Sequence, residues 1–149
     1  HLDADFDQFS AGPCPNSGTS PSSDNGDGTC DLSGVNMPYA AEFSGNFDAD
    51  ISRPVTVSVD FNAGVTVSYS DDYFTDGALH EEAIQDAYTK IGARIGVAAR
   101  NGKWSVSLIG QNLSNEITTT TSQSYGGAYL GYAAAPRTIM LQARFRLAD

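Results

Sequence analysis

From Ala87 to Leu113 apolar and polar residues alternate on both sides of Asn101-Gly102, and no other stretch restricts the fold as much. Asn-Gly is the preferred pair for a two-residue type I′ turn, because both central residues need φ > 0. A loop of those two residues sets Arg100 opposite Lys103, Ala99 opposite Trp104, Val97 opposite Val106 and Ile95 opposite Leu108. The apolar partners then share one face. Lys90, Arg94 and Arg100, with Lys103, Ser105, Ser107 and Gln111, share the other. A slip by one residue would mix the two sets, so pattern and turn support each other.

Each arm outruns the roughly five or six residues of a usual soluble strand. Long, sharply alternating strands suit a transmembrane β-barrel, where a crossing takes roughly nine to eleven tilted residues. The same pattern runs from Phe43 to Tyr69, with Phe43, Phe47, Ala49 and Ile51 and then Val55, Val57, Val59, Phe61, Val65, Val67 and Tyr69 at odd positions. That length exceeds one strand, and Ser52-Arg53-Pro54 is the expected turn. Unchanged parity on its two sides requires an odd loop, most simply of three residues with Ile51 facing Val55. The expected lipid-facing set is Val55, Val57, Val59, Phe61, Val65, Val67, Ile95, Val97, Trp104, Val106, Leu108, Ile139, Leu141 and Phe145.

A first strand is expected over His1 to Ser10 and a last over Arg137 to Leu147, giving an all-β, antiparallel, up-and-down barrel segment of about six strands. The connections alternate between long (Ala11 to about Ala41, 71–86, 117–135) and short (52–54, 101–102), as in outer-membrane barrels. Six strands cannot close a membrane barrel, whose minimum is about eight, so further strands must come from elsewhere. A soluble sandwich also alternates, but has no reason to keep this asymmetry of turns.

The net charge of -10 argues against nucleic-acid binding, which needs a basic surface. Arg100 and Lys103 flank a short turn, whereas Asp24, Asp27, Asp31, Asp71, Asp72, Asp76, Glu81, Glu82 and Asp86 gather in long connections. No apolar run nears the roughly eighteen residues of a membrane-crossing helix. Cys14 and Cys30 lie in one Gly/Ser/Pro/Asp/Asn-rich stretch, which favours a disulfide over unrelated thiols and an oxidising compartment. Asp24-Asn25-Gly26-Asp27-Gly28-Thr29 lacks the closing Glu and ligand spacing of a calcium loop, so no metal is expected. His80 is read as an exposed loop histidine. No nucleophile elbow, HExxH or phosphate-cradling glycine loop is present, so neither catalysis nor a cofactor is expected. Tyr73, Tyr125, Tyr129 and Tyr132, in long connections, are the candidate ligand-binding residues. On the same residues, the alternative is a secreted, disulfide-bonded β-domain binding carbohydrate or protein.

Tyr88-Thr89, Arg94-Ile95-Gly96, Asn101-Gly102, Trp104, Leu108 and Asn112-Leu113-Ser114-Asn115-Glu116 occur in that order, with Asp3-Ala4-Asp5-Phe6, Leu32-Ser33-Gly34, Pro38-Tyr39-Ala40 and Ala135-Pro136-Arg137 around them. Together, over essentially the whole chain, these motifs resemble the carboxyl-terminal barrel segment of TonB-dependent outer-membrane receptors. The resemblance implies the last strands of a barrel of about 22, closed around an amino-terminal plug that is not among these residues. It further implies a Gram-negative outer-membrane location among lipid and lipopolysaccharide. A siderophore, vitamin or oligosaccharide would be bound outside and imported with TonB-coupled energy. The ending Phe145-Arg146-Leu147-Ala148-Asp149 departs from the aromatic terminus usual in that family.

Overall fold

A computed structural model describes residues 4–14, 23–125 and 128–147. It is all-β: β1 (Gly12–Pro13), β2 (Ser23–Asp24), β3 (Thr29–Asp31), β4 (Ser44–Pro54), β5 (Val59–Ser70), β6 (Tyr73–Phe74), β7 (Ile84–Gln85), β8 (Tyr88–Ala99), β9 (Trp104–Gln111), β10 (Thr119–Tyr125), β11 (Ala128–Ala133) and β12 (Thr138–Phe145), with one 3-10 turn at Glu81–Ala83. The chain divides into two compact units. One is the five long strands (45–69, 89–116, 135–149) and the other is built from 1–44, 70–88 and 117–134.

The sheet unit is an antiparallel meander in the order β12-β9-β8-β5-β4. Its two outer strands leave open edges, and no closed barrel exists among the described residues. Ile95 pairs with Leu108, Val97 with Val106 and Ala98 with Ser105, the register set by alternation. On the far side of β9, Leu108 pairs with Leu141, Val106 with Ala143 and Trp104 with Phe145.

Both turns differ from expectation in detail. The β8–β9 loop spans four residues, 100–103, instead of two. Gly102 has φ 71 while Asn101 does not enter the left-handed region, so no type I′ turn forms. The Gly102 N–H donates to the Ala99 carbonyl at 2.9 Å, and the Asn101 side-chain oxygen accepts the Lys103 N–H at 3.1 Å. Four and two are both even, which is why the register survives. The Arg100 N–H donates instead to the Ser58 carbonyl, and the Lys103 carbonyl accepts from the Arg146 N–H.

The β4–β5 turn falls at Val55–Ser58, not at Ser52-Arg53-Pro54, which lies within β4. The Val55 N–H donates to the Val59 carbonyl at 3.0 Å, so Val55 faces Val59, where it was expected to face Ile51, and the three residues 56–58 between them keep the odd count that parity demanded. Thr56 Oγ1 accepts the N–H groups of Ser58 and Val59. Pro54 is tolerated because β4 is an edge strand, where a missing N–H costs no ladder bond.

The other unit holds the only clustered apolar core among the described residues: Cys30, Leu32, Val35 and Leu79, with Phe6, Cys14 and Phe74 against it. The predicted first strand is not part of the long sheet. Asp5 makes an isolated bridge to Asn36, and the N–H of Phe6 donates to the Val35 carbonyl; residues 1–3 lie outside the described residues. The five-stranded sheet thus replaces the expected six. The connections carry their own ladders: β1-β3-β2, β6-β7 and β10-β11. Cys14 and Cys30 form a disulfide that ties β3 to the residue following β1.

Candidate functional site

On the sheet, the alternation produces two unlike faces. Rows running Ile95–Leu108–Leu141, Val97–Val106–Ala143 and Ala93–Gly110–Ile139 cross β8, β9 and β12, closed by Trp104 against Phe145. Leu141 and Phe145 are each 71% exposed, and Ile95, Leu108, Ile139, Phe47 and Ile51 are exposed as well. Among the described residues of the sheet, Ala99 and Gly110 are the buried members of the apolar rows. Val59, Phe61 and Val67 are half-buried and Val65 exposed, whereas Val55 and Val57 belong to the β4–β5 turn, with Val57 91% exposed. These apolar residues adjoin one another in rows, unlike the singly scattered apolar residues of ordinary soluble surfaces.

The opposite face is polar. Arg94 Nη2 donates to Asp50 Oδ1 at 2.8 Å, and Arg100 Nε to Asp60 Oδ1 at 2.8 Å. Thr66 donates its hydroxyl to Asp48 at 2.6 Å. These exposed pairs contribute little stability in water, and Arg94 with Asp50 also borders a shallow depression of about 450 Å³ lined by Thr66, Lys90 and Gln111 as well. Gly64 sits beneath the Asp50 carboxylate, where any side chain would collide with it.

Where β9 ends, Asn112 takes φ 50 and uses its whole amide. Its Nδ2 donates to the carbonyls of Glu116 (2.8 Å) and Ala135 (3.3 Å), and its Oδ1 accepts the Glu116 N–H at 3.0 Å. One side chain thereby joins the exit of β9 to the approach to β12. Asparagine tolerates the left-handed region and carries both donor and acceptor, which gives the Asn112-Leu113-Ser114-Asn115-Glu116 phrase a physical basis.

In the loop-built unit, the candidate tyrosines do not converge. Tyr125 pairs with Ala128, Gln123 with Leu130 and Thr121 with Tyr132, so Tyr125, Leu130 and Tyr132 share one face of the β10–β11 hairpin. They are 80%, 53% and 56% exposed. Tyr129 pairs with Ser124 on the reverse face and meets His80 edge-on at 5.3 Å. Partial burial, then the carboxylates of Glu82 and Asp76, push its hydroxyl above the usual tyrosine range. Tyr73 sits in β6, and burial followed by its neighbour Tyr88 pushes it up also. The arrangement adds a residue that sequence reasoning passed over. Tyr39, at φ 63 and 53% exposed, places its hydroxyl 3.3 Å from Thr121 Oγ1.

His80 corrects its reading as an exposed loop residue. It is 6% exposed, and its Nδ1 meets the Asp76 carboxylate, which also accepts the His80 N–H at 3.1 Å. The spacing of four from Asp76 was the available signal. Beside this pair, Thr75 bonds Ser122 through their hydroxyls at 2.8 Å, and Gln85 accepts the Thr119 N–H at 2.6 Å. Buried polar groups here are satisfied, as a stable interior requires.

The Asp24–Thr29 loop folds its carboxylates onto its own backbone. Asp24 accepts the Gly26 N–H, and Asp27 accepts both the N–H and the hydroxyl of Thr29. Asp24 also lies near both cysteine sulfurs, but these are joined to each other and cannot serve as thiolate ligands.

Positive charge is confined to one unit. Asp3, Asp5, Asp7, Asp24, Asp27, Asp31 and Glu42 in the first loop segment, and Asp71, Asp72, Asp76, Glu81, Glu82 and Asp86 in the second, are thirteen carboxylates without one lysine or arginine. All eight basic residues belong to the sheet unit. No family model, curated protein or solved structure matches the chain.

Proposed function

We propose that this chain is a carboxyl-terminal barrel portion of a TonB-dependent outer-membrane receptor, which imports a scarce nutrient such as a siderophore, vitamin or oligosaccharide. The observation that carries this reading is the apolar face of the sheet, which continues across three strands with Ile95, Leu108, Ile139, Leu141 and Phe145 exposed among the described residues. Hydrocarbon is the medium in which such a face is stable, and an up-down meander with alternating short and long connections is the topology that crosses it. The open edges at β4 and β12 call for partner strands, since bare strand edges in lipid cost several kcal/mol per unsatisfied amide. The remaining barrel strands supply those partners, and the plug supplies the contact to TonB. No chemistry is assigned to the chain itself.

The single tryptophan, Trp104, lies on the apolar face beside Phe145 and makes the test direct. The chain is refolded into vesicles whose acyl chains carry bromine. Strong quenching of Trp104 is expected. Full fluorescence, with a monomer that stays soluble in detergent-free buffer, would replace the receptor by a secreted disulfide-bonded β-domain.

A further inference from the structure

We infer that the outward face of the β10–β11 hairpin docks a cationic polypeptide segment, rich in lysine or arginine. This deepens the receptor reading, on which its biological role rests, by naming the chemistry that the loops receive. Tyr125, Leu130 and Tyr132 lie on one face of the hairpin, all well exposed. Tyr39 is tied to that strand pair through Thr121. Tyrosine with an aliphatic neighbour gives rigid contact area at small entropic cost, the composition of binding surfaces.

The overall charge of the unit that bears this patch selects the occupant. The unit that carries the hairpin holds thirteen carboxylates and no lysine or arginine, and the hairpin itself carries no charge of either sign. An anionic ligand meets repulsion throughout this unit, whereas a basic one is steered inward and then meets tyrosine rings, whose faces attract guanidinium and ammonium groups. Tyr39 adds a further indication. A tyrosine held at φ 63 costs conformational energy, and the neighbouring contacts hold it there with its ring half in solvent. An extended segment suits the surface better than a compact cation, because the exposed side chains run along the hairpin from its tip at Tyr125 to Tyr132.

The test is fluorescence anisotropy with the full chain in an uncharged detergent. The probe is a labelled peptide of lysine, arginine and alanine, and the control is the same peptide with glutamate at every basic position. The basic peptide is expected to bind, with affinity falling steeply as salt rises, and the acidic one is not. Tyr125→Ser combined with Tyr132→Ser is expected to weaken binding at least about tenfold. Tyr39→Gly is the second variant, since glycine accepts the left-handed backbone and preserves the fold; weaker binding is expected there as well. Equal binding of both peptides, no binding of the basic one, or unchanged binding by both variants would each overturn the proposal. Competition by free arginine as effective per charge as the peptide would reassign the surface to small cations and overturn it too. Trp104 quenching by brominated lipid reports the receptor reading separately, so either can fail while the other stands.

Discussion

The two units of this chain solve the problem of burial in opposite ways. The loop-built unit follows the rules of water: Leu32 and Leu79 are 2% exposed, Cys14 is bonded to Cys30 beside them, and interior polar groups such as Thr75, Asp76 and His80 have partners. Among the described residues the sheet unit has no such clustered interior. Its ion pairs are exposed on one face and its aliphatic and aromatic side chains on the other. Both are built of β-strands, so strand structure alone does not reveal the solvent. What distinguishes them is whether the apolar side chains of the described residues are buried or exposed.

The comparison sharpens through substitutions whose effect depends on that burial. Leu32→Ala empties part of the loop unit's core and is expected to cost about 2–5 kcal/mol, read as loss of near-ultraviolet dichroism in urea. Thermal unfolding of the sheet should shift less. Ile95→Arg places a cation in the row with Leu108 and Leu141. In vesicles it is expected to cost about 2–4 kcal/mol, if the row sits near the bilayer centre. In water the same exposed position would tolerate it within about 0.5 kcal/mol. A small cost measured in vesicles would break the distinction drawn between the units.

Asn112→Ala removes an amide that serves three backbone groups and leaves alanine at φ 50. A loss of about 1–3 kcal/mol is expected, with faster hydrogen exchange at Glu116. Acid supplies the smallest effect. The hydroxyl and then the N–H of Thr29 hold Asp27 below the usual carboxylate range, and Ser33 does the same for Asp31. A carboxylate depressed on folding contributes stability that is complete above its unfolded value of 3.8 and disappears as pH falls through its lower folded value. The loop unit should therefore weaken slightly below pH 3.8, and Asp27→Asn should flatten that slope in a titration followed by dichroism.

Several features were legible before any coordinates. Val97 opposite Val106 and Ile95 opposite Leu108 follow from parity, because a shift by one would invert every side chain in the arm. The odd loop between Phe43 and Tyr69 follows from parity too. Its position did not, since Pro54 signals a turn unless the strand bearing it is at an edge, and edge status belongs to the whole sheet. Asn101-Gly102 marked the right place and the wrong turn. Bonds from Arg100 and Lys103 to residues outside the hairpin accompany a longer loop with the same parity.

By itself, then, the chain's alternation determined that it is β-structure with one apolar and one polar side per long strand, because side-chain direction in a strand has period two and needs no distant partner. The tertiary structure alone decided that His80 meets Tyr129, that Tyr39 reaches Thr121, and that Tyr125 and Tyr132 share a face while Tyr129 does not. Those contacts join segments far apart in sequence or depend on one hairpin's register. They are settled by which polar groups must be satisfied once the loops close on a common core, and no local pattern records that requirement.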